Sequence, residues 1–319
     1  MNEWGKLMSE KEVKRYFVIG IILLSFGASL LPVVIADQPN NMNKKLLKTT
    51  WIVDNEGDGD FTSIQTAIDN ATAGDTIEVY SGTYNENPLI EKSIDLIGKA
   101  IEYGSGSDTG NPVISGLGND NVISVATDNQ DAPVKISDFT VTQSGYRHAG
   151  IYAEYSKTVV ITNNNITGNH HGVELYYAET AQIQANTIIN NDYAIIIEFC
   201  SYCTISLNHI VNNTYGIQLS VSNSNEVKQN EIRNTENGYS ITLIRSYINQ
   251  ITFNNFIDNN KQATFLNCLN YWHDNYWSNK LGILPVYIIV GIFQLNFFPT
   301  LRVPWPQFDL RAAKNPNPI

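Results

Sequence analysis

The chain has 319 residues, 43% of them hydrophobic and only 16% charged, with a formal net charge of −11. An acidic chain without clustered Lys and Arg is a poor partner for nucleic acid, whose phosphates draw on such clusters; neutral glycans and cations stay compatible. Three cysteines are too few for a disulfide framework.

Residues 1–36 have the pattern of a targeting segment. Lys11, Lys14 and Arg15 precede an apolar run from Tyr16 to Ala36, and Val34-Ile35-Ala36 offers a cleavage point. The run is also long enough to span a bilayer, so a cleaved signal peptide and a retained membrane anchor both stay open. Either would make the remainder secreted or cell-surface, with membrane contact only through an uncleaved segment. Residues 37–48 read as a polar linker.

From residue 49 the pattern becomes that of strands. Trp51-Ile52-Val53 reads as a strand, 54–60 as a turn, and Thr62 as the N-cap of a short helix over 63–70 with Ile64, Ala67 and Ile68 on one face. Such a helix covers a strand edge that would otherwise invite aggregation. Short strands are expected at 76–79, 89–90 and 94–97. The segments Gly57-Asp58-Gly59-Asp60-Phe61-Thr62-Ser63-Ile64-Gln65, Ala67-Ile68, Gly74-Asp75-Thr76-Ile77, Gly82-Thr83-Tyr84 and Leu96-Ile97-Gly98 resemble the opening of pectin methylesterases and of the wider pectin-lyase-like β-helix superfamily. The resemblance covers residues 51–98, implies the fold's N-terminal entry and includes no catalytic residue.

Residues 100–132 are rich in Gly, Asp and Asn and carry weaker strands at 113–114 and 122–125. Ile136, Phe139 and Val141 supply one more coil before four clean 22-residue units, 151–172, 173–194, 195–216 and 217–238. In them Ile151, Val173, Ile195 and Ile217 share the first position, and Asn164, Asn186, Asn208 and Asn230 share another. A fifth unit starts at Ile241 after a two-residue insertion. Period-two apolar alternation broken by Asn/Gly corners is a strand signal, and a unit this short buries an apolar face only by stacking on its neighbours. The expected fold is therefore all-β: a right-handed parallel β-helix over 49–270, coils about 4.8 Å apart, with an N-terminal capping helix, an internal Asn ladder and an irregular C-terminal cap over 271–319. Asn208-His209-Ile210 and Asn213-Thr214-Tyr215-Gly216-Ile217 resemble the corners of secreted archaeal and bacterial copper-accessory β-helix proteins of the NosD type, a likeness of architecture. The apolar stretch 281–298 holds Pro285, Gln294 and Asn296, which suits a cap better than a membrane helix. It resembles the tails of archaeal secreted β-helix proteins.

Outward positions on the first strand of each coil are where chemistry would sit. They bring Tyr152, Glu174, Ile196 and Gln218 into one column and Glu154, Tyr176, Glu198 and Ser220 into another. Glu174 and Glu198 lie one coil and two residues apart, about 8 Å between Cα atoms, a spacing that permits an acid and base pair. Solvated Glu on a β-face is equally ordinary. Tyr155, Tyr177 and Phe199 form an aromatic column that would either lie under a sugar or pack against a corner.

His148, His170 and Asp192 recur at intervals of 22, a candidate set for Zn²⁺ or Cu²⁺, with polar corners as the plain alternative. Cys200 and Cys203 form a lone Cys-x-x-Cys, with Cys268 about 14 Å away by strand spacing; they read as buried or turn-forming thiols, with copper(I) as the alternative. Asp54, Glu56 and Asp58 resemble a piece of a calcium loop, but Gln65 stands where the closing Glu belongs, so a polar turn is the better account. Asn70, Asn165 and Asn212 begin Asn-x-Ser/Thr sequons that a glycosylating export route would modify.

Three functions are compatible. Regular, insertion-poor coils favour a non-catalytic surface protein that binds a polysaccharide or cell-envelope glycan or builds the envelope. A carbohydrate-active hydrolase or lyase is the second, although Gly-x-x-Asp-Phe-Ile-Phe-Gly, Gly-Arg-Pro-Trp, Asn-Thr-Asp and Gly-His-Gly are missing and Asn169-His170-His171-Gly172 only echoes the last. The third is a metal accessory protein of the NosD type. The cofactor is left open between a divalent metal, copper and none.

Overall fold

The computed structural model describes residues 48–127, 132–279, 287–294 and 302–319; the targeting segment and nearly all of the linker lie outside them. The chain winds into a parallel β-helix with three walls. Successive coils of the first wall are Ala149–Glu154, His171–Tyr176, Tyr193–Glu198, Tyr215–Ser220, Tyr239–Ile244 and Lys261–Leu266, paired in parallel with Ile151 over Val173, Ile195, Ile217 and Ile241 in turn. The two-residue insertion is absorbed before Tyr239, so the register survives it. A second wall runs from Thr50–Val53 to Tyr271–His273 and a third, of nine strands, from Thr83–Asn85 to Tyr276–Trp277. The inward Ile, Val and Leu of all three walls fill one continuous core.

Asparagines make the polar spine of that core. The main-chain N–H of Asn164 donates to Oδ1 of Asn186 at 3.0 Å, and the step repeats through Asn208, Asn230, Asn254 and Asn275. Each Asn Nδ2 also reaches a carbonyl of the preceding coil, as Asn208 Nδ2 reaches Ile183 O at 2.8 Å. All six are buried, and a buried amide is tolerated only when its hydrogen bonds are made. A second file runs from Asn225 through Asn249 to Asn270 and a third from Asn169 through Asn191 to Asn213.

The N-terminal helix, α1, is Ile64–Asn70, with Ile64, Ala67 and Ile68 buried. Its cap is Ser63, one residue beyond the Thr62 expected: Ser63 Oγ accepts from Thr66 N, and the Glu86 carboxylate, a negative charge at the helix start, accepts from Ile64 N and Gln65 N. At the other end the cap takes the form of an antiparallel hairpin, Tyr287–Gln294 with Arg302–Asp309. Its first strand pairs with the first wall and its second with the second wall, joining both into one 20-stranded sheet. Residues 280–286 and 295–301 of the region expected to form the cap lie outside the described residues. Among the described residues no helix is long and apolar enough to cross a membrane.

Candidate functional site

The outward columns of the first wall assemble as the register requires. Tyr152 stands over Glu174, Glu154 over Tyr176, and Tyr176 over Glu198. Tyr152 donates its hydroxyl to Glu154 Oε2 at 3.1 Å, and burial together with that carboxylate pushes its phenol up. Glu174 Oε2 lies 2.6 Å from His171 Nδ1. Burial and then the neighbouring Glu174 raise the Glu198 carboxyl. The two glutamates thus sit in unlike environments, one paired with an imidazole and the other displaced toward its protonated form.

Beside them the corner column stacks. The Tyr155 and Tyr177 rings are 5.3 Å apart and 9° from parallel, and Tyr177 and Phe199 follow at 4.7 Å and 6°. Tyr176 stands edge-on to all three. These rings are 50%, 44% and 41% exposed for Tyr155, Tyr177 and Phe199, so the column packs its faces against itself and shows its edges and hydroxyls to solvent. All three residues hold left-handed backbone, φ 48°, 51° and 55°, which aims them outward at the corner.

The histidines part company. His148 and His170 are neighbours through the backbone, His171 N donating to His148 O, but His148 Nδ1 turns to Asp120 at 3.6 Å and His170 Nε2 to Asp192 at 3.7 Å. The fold thus brings His170 to Asp192 and turns His148 aside to Asp120, and the three do not form a group of ligating side chains all within reach of one another: same-register main chain does not oblige side chains to converge. His170 packs against Tyr146 and His171, and burial lowers its affinity for a proton.

Cys200, Cys203 and Cys268 are free and buried. Cys200 Sγ accepts from Ala178 N and Cys268 Sγ from Ser246 N, with Ser222 and Ser246 filling the coils between. Cys200 and Cys268 are turn-forming thiols at the two ends of one polar column, and Cys203 stands at the head of the Asn225 file, its N–H donating to Asn225 Oδ1 at 2.9 Å. The hydrogen bond with Cys203 and burial push the Cys200 thiol far up.

Of the sequon residues, Asn212 is an exposed corner and Asn70 is exposed at the end of α1, its amide bonded to Thr66 O. Asn165 begins the third-wall strand Asn165–Thr167, with its Oδ1 buried. Gln65 belongs to α1 and bonds Asp69 and Leu89. Asp58 reaches Ser105, and the residue that joins Asp54 and Glu56 is Glu102. Sequence offered no signal for Glu102, which lies in the unpatterned stretch after residue 100.

Fold and columns together define a pectin-lyase-like parallel β-helix protein. Residues 68–292 match the family model NosD, described as periplasmic copper-binding protein, and the chain belongs to that family. No curated protein matches the sequence. Among solved structures, XylC in complex with xylose is similar at a TM-score of 0.56 and 13% identity, covering 72% of this chain and 65% of that one; this chain thus spans somewhat less than two thirds of XylC's length. ORF18 of Geobacillus virus E2 aligns at a TM-score of 0.48 and 14% identity over 72% and 57%. A pectin methylesterase mutant in complex with a hexasaccharide aligns at 0.37 and 9% over 73% and 90%.

Proposed function

We propose that the protein is exported and holds a polysaccharide or cell-envelope glycan along the outward face of its first wall without cleaving it. The observation that carries this reading is the coil-by-coil alignment of Tyr152, Glu154, Glu174, Tyr176 and Glu198 beside the half-exposed column of Tyr155, Tyr177 and Phe199. A linear glycan laid along the solenoid axis meets acceptor carboxylates and amphipathic rings at each coil, the two group types that suit sugar hydroxyls and sugar C–H faces. Because the rings stack on one another, contact falls on their edges and hydroxyls and on the outer face of Tyr155. XylC, of the same fold, is solved with xylose.

Incubating the full chain in mild detergent with a panel of polysaccharides, following both retention and new reducing or unsaturated ends, tests the reading. Saturable retention without new ends is expected, weakened about tenfold by Tyr177→Ala combined with Glu198→Gln. Retention by none of the panel, or equal retention of the variant, overturns it. The unlike surroundings of Glu174 and Glu198 favour a second reading, hydrolysis with Glu198 as acid. New chain ends that vanish with either Glu→Gln substitution establish that one instead.

The family description names copper, and the described residues do not fit it. Thiolate, thioether or imidazole ligands are wanted, yet the three thiols are buried at the coil turns, the methionines stand at positions 1, 8 and 42 outside the described residues, and no histidine belongs to a group of three ligating side chains among the described residues. Among the described residues the one group of three ligating side chains within reach of one another is all oxygen.

A further inference from the structure

That oxygen group lies at the N-terminal end, away from the first wall. Asp54, Glu56 and Glu102 each bring a carboxylate oxygen within 4.8 Å of the others'. Asp54 directly follows the strand Thr50–Val53 and Glu102 lies just past the strand Asp95–Lys99, two strands along the same wall. Asp54 is 0% exposed. Its Oδ2 accepts from Asp58 N at 3.0 Å, while its Oδ1 is buried with no hydrogen-bond donor. A buried carboxylate oxygen without a partner is costly, and three carboxylates this close repel one another.

The surrounding chain is built to hold the group in place. Both Glu102 oxygens accept main-chain N–H, from Tyr103 at 2.9 Å and Asp108 at 2.7 Å. Asp58 accepts from Ser105 N at 2.7 Å and Ser105 Oγ at 2.8 Å. Gly104 lies with φ +85° where a Cβ would run into the Asp58 carboxylate, so the loop closes this tightly because it has glycine there. Among the described residues no Lys, Arg or His forms an ion pair with Asp54, Glu56 or Glu102.

We propose that Asp54, Glu56 and Glu102 bind a divalent cation of the calcium class, which clasps the turn after the first strand to the loop that begins at Glu102. The ligands are hard oxygens on loops, one buried, one half-buried and one exposed; this suits Ca²⁺, which accepts irregular oxygen coordination, better than a cation demanding a strict octahedron. The cation supplies Asp54 Oδ1 with its missing partner and cancels the mutual repulsion. The site is distinct from the Asp54, Glu56 and Asp58 run read from sequence, since Asp58 serves Ser105 instead.

The test uses the full chain in mild detergent, with Tb³⁺ luminescence and thermal unfolding read as CaCl₂ is added. Tb³⁺ emission sensitised by nearby aromatic residues is expected, displaced by Ca²⁺ with a midpoint on the order of 0.1–1 mM, the range of extracellular calcium modules. Unfolding should rise saturably, by about 3 °C at ten times the midpoint. Glu102→Gln should weaken both responses at least tenfold. Glu56→Gln, on an exposed side chain that leaves folding intact, should do the same. A wild type that shows no saturable response to Ca²⁺ up to 10 mM overturns the proposal. So does a response matched by NaCl of equal ionic strength, or one that neither variant changes.

Discussion

Asp309 takes the place of a seventh asparagine above Asn275. Its Oδ2 accepts from Asn275 N at 3.1 Å and Asn275 Nδ2 at 2.9 Å, as each Asn Oδ1 does for the one before it, and adds Trp277 Nε1 at 3.0 Å. Two residues earlier on the same hairpin strand, Gln307 Oε1 ends the second file by accepting from Asn270 N at 3.1 Å and Trp272 Nε1 at 2.9 Å. The hairpin therefore ends the sheet and two side-chain ladders at once. An unfinished ladder would leave buried donors at the open end of the solenoid.

Removing that acceptor should cost more than neutralising it. Asp309→Ala strands three buried N–H donors and is expected to lower unfolding stability by about 3 kcal/mol. Asp309→Asn keeps the acceptor oxygen and should stay within about 1 kcal/mol of wild type. Denaturant titrations of the two variants check the order; equal losses would show that the ladder does not depend on its last member.

The left-handed corners carry residues that favour that conformation little. Val221, in the corner column one coil past Phe199, has φ 50° and is 38% exposed, a strained setting for a β-branched side chain. Val221→Asn, which tolerates this conformation, should stabilise the fold by about 0.5–1 kcal/mol despite the lost apolar contact. A shift of the thermal midpoint downward would contradict the argument.

Asp75 should make the N-terminal end acid-sensitive. Burial alone would raise its carboxyl, but the N–H groups of Thr72 and Thr49, the Thr72 hydroxyl and the Trp51 indole outweigh burial and hold it below the ordinary range. A folded value below the unfolded one of about 3.9 means the folded state binds fewer protons there, so the stabilisation is full above that pH and lost as pH falls through the folded value. Asp75→Asn should cost about 1–3 kcal/mol at pH 7 and narrow its gap to wild type between pH 5 and 3. Denaturation curves that run parallel over that interval would rule this out.

Much of this fold is written in the 22-residue period. Asn164, Asn186, Asn208 and Asn230 stand out because a polar residue recurring inside an apolar pattern has to be satisfied by its own copies. Glu174, Glu198 and the column of Tyr155, Tyr177 and Phe199 follow from the same arithmetic. Side-chain direction does not: His148 and His170 share a register yet face different aspartates. The left-handed corners went unseen where Tyr, Phe or Val fills them, since only Gly and Asn advertise that conformation. Glu102 comes from a stretch without period, so only the folded chain places it against Asp54.

Hydroxyl-radical footprinting of the full chain, with and without the polysaccharide it retains, tests the glycan reading most directly because it reports where contact falls. Protection is expected at Tyr155, Tyr176, Tyr177 and Phe199, with the exposed Tyr271 and Trp305 oxidised as before. Protection confined to the C-terminal hairpin, or none on the first wall, would contradict it.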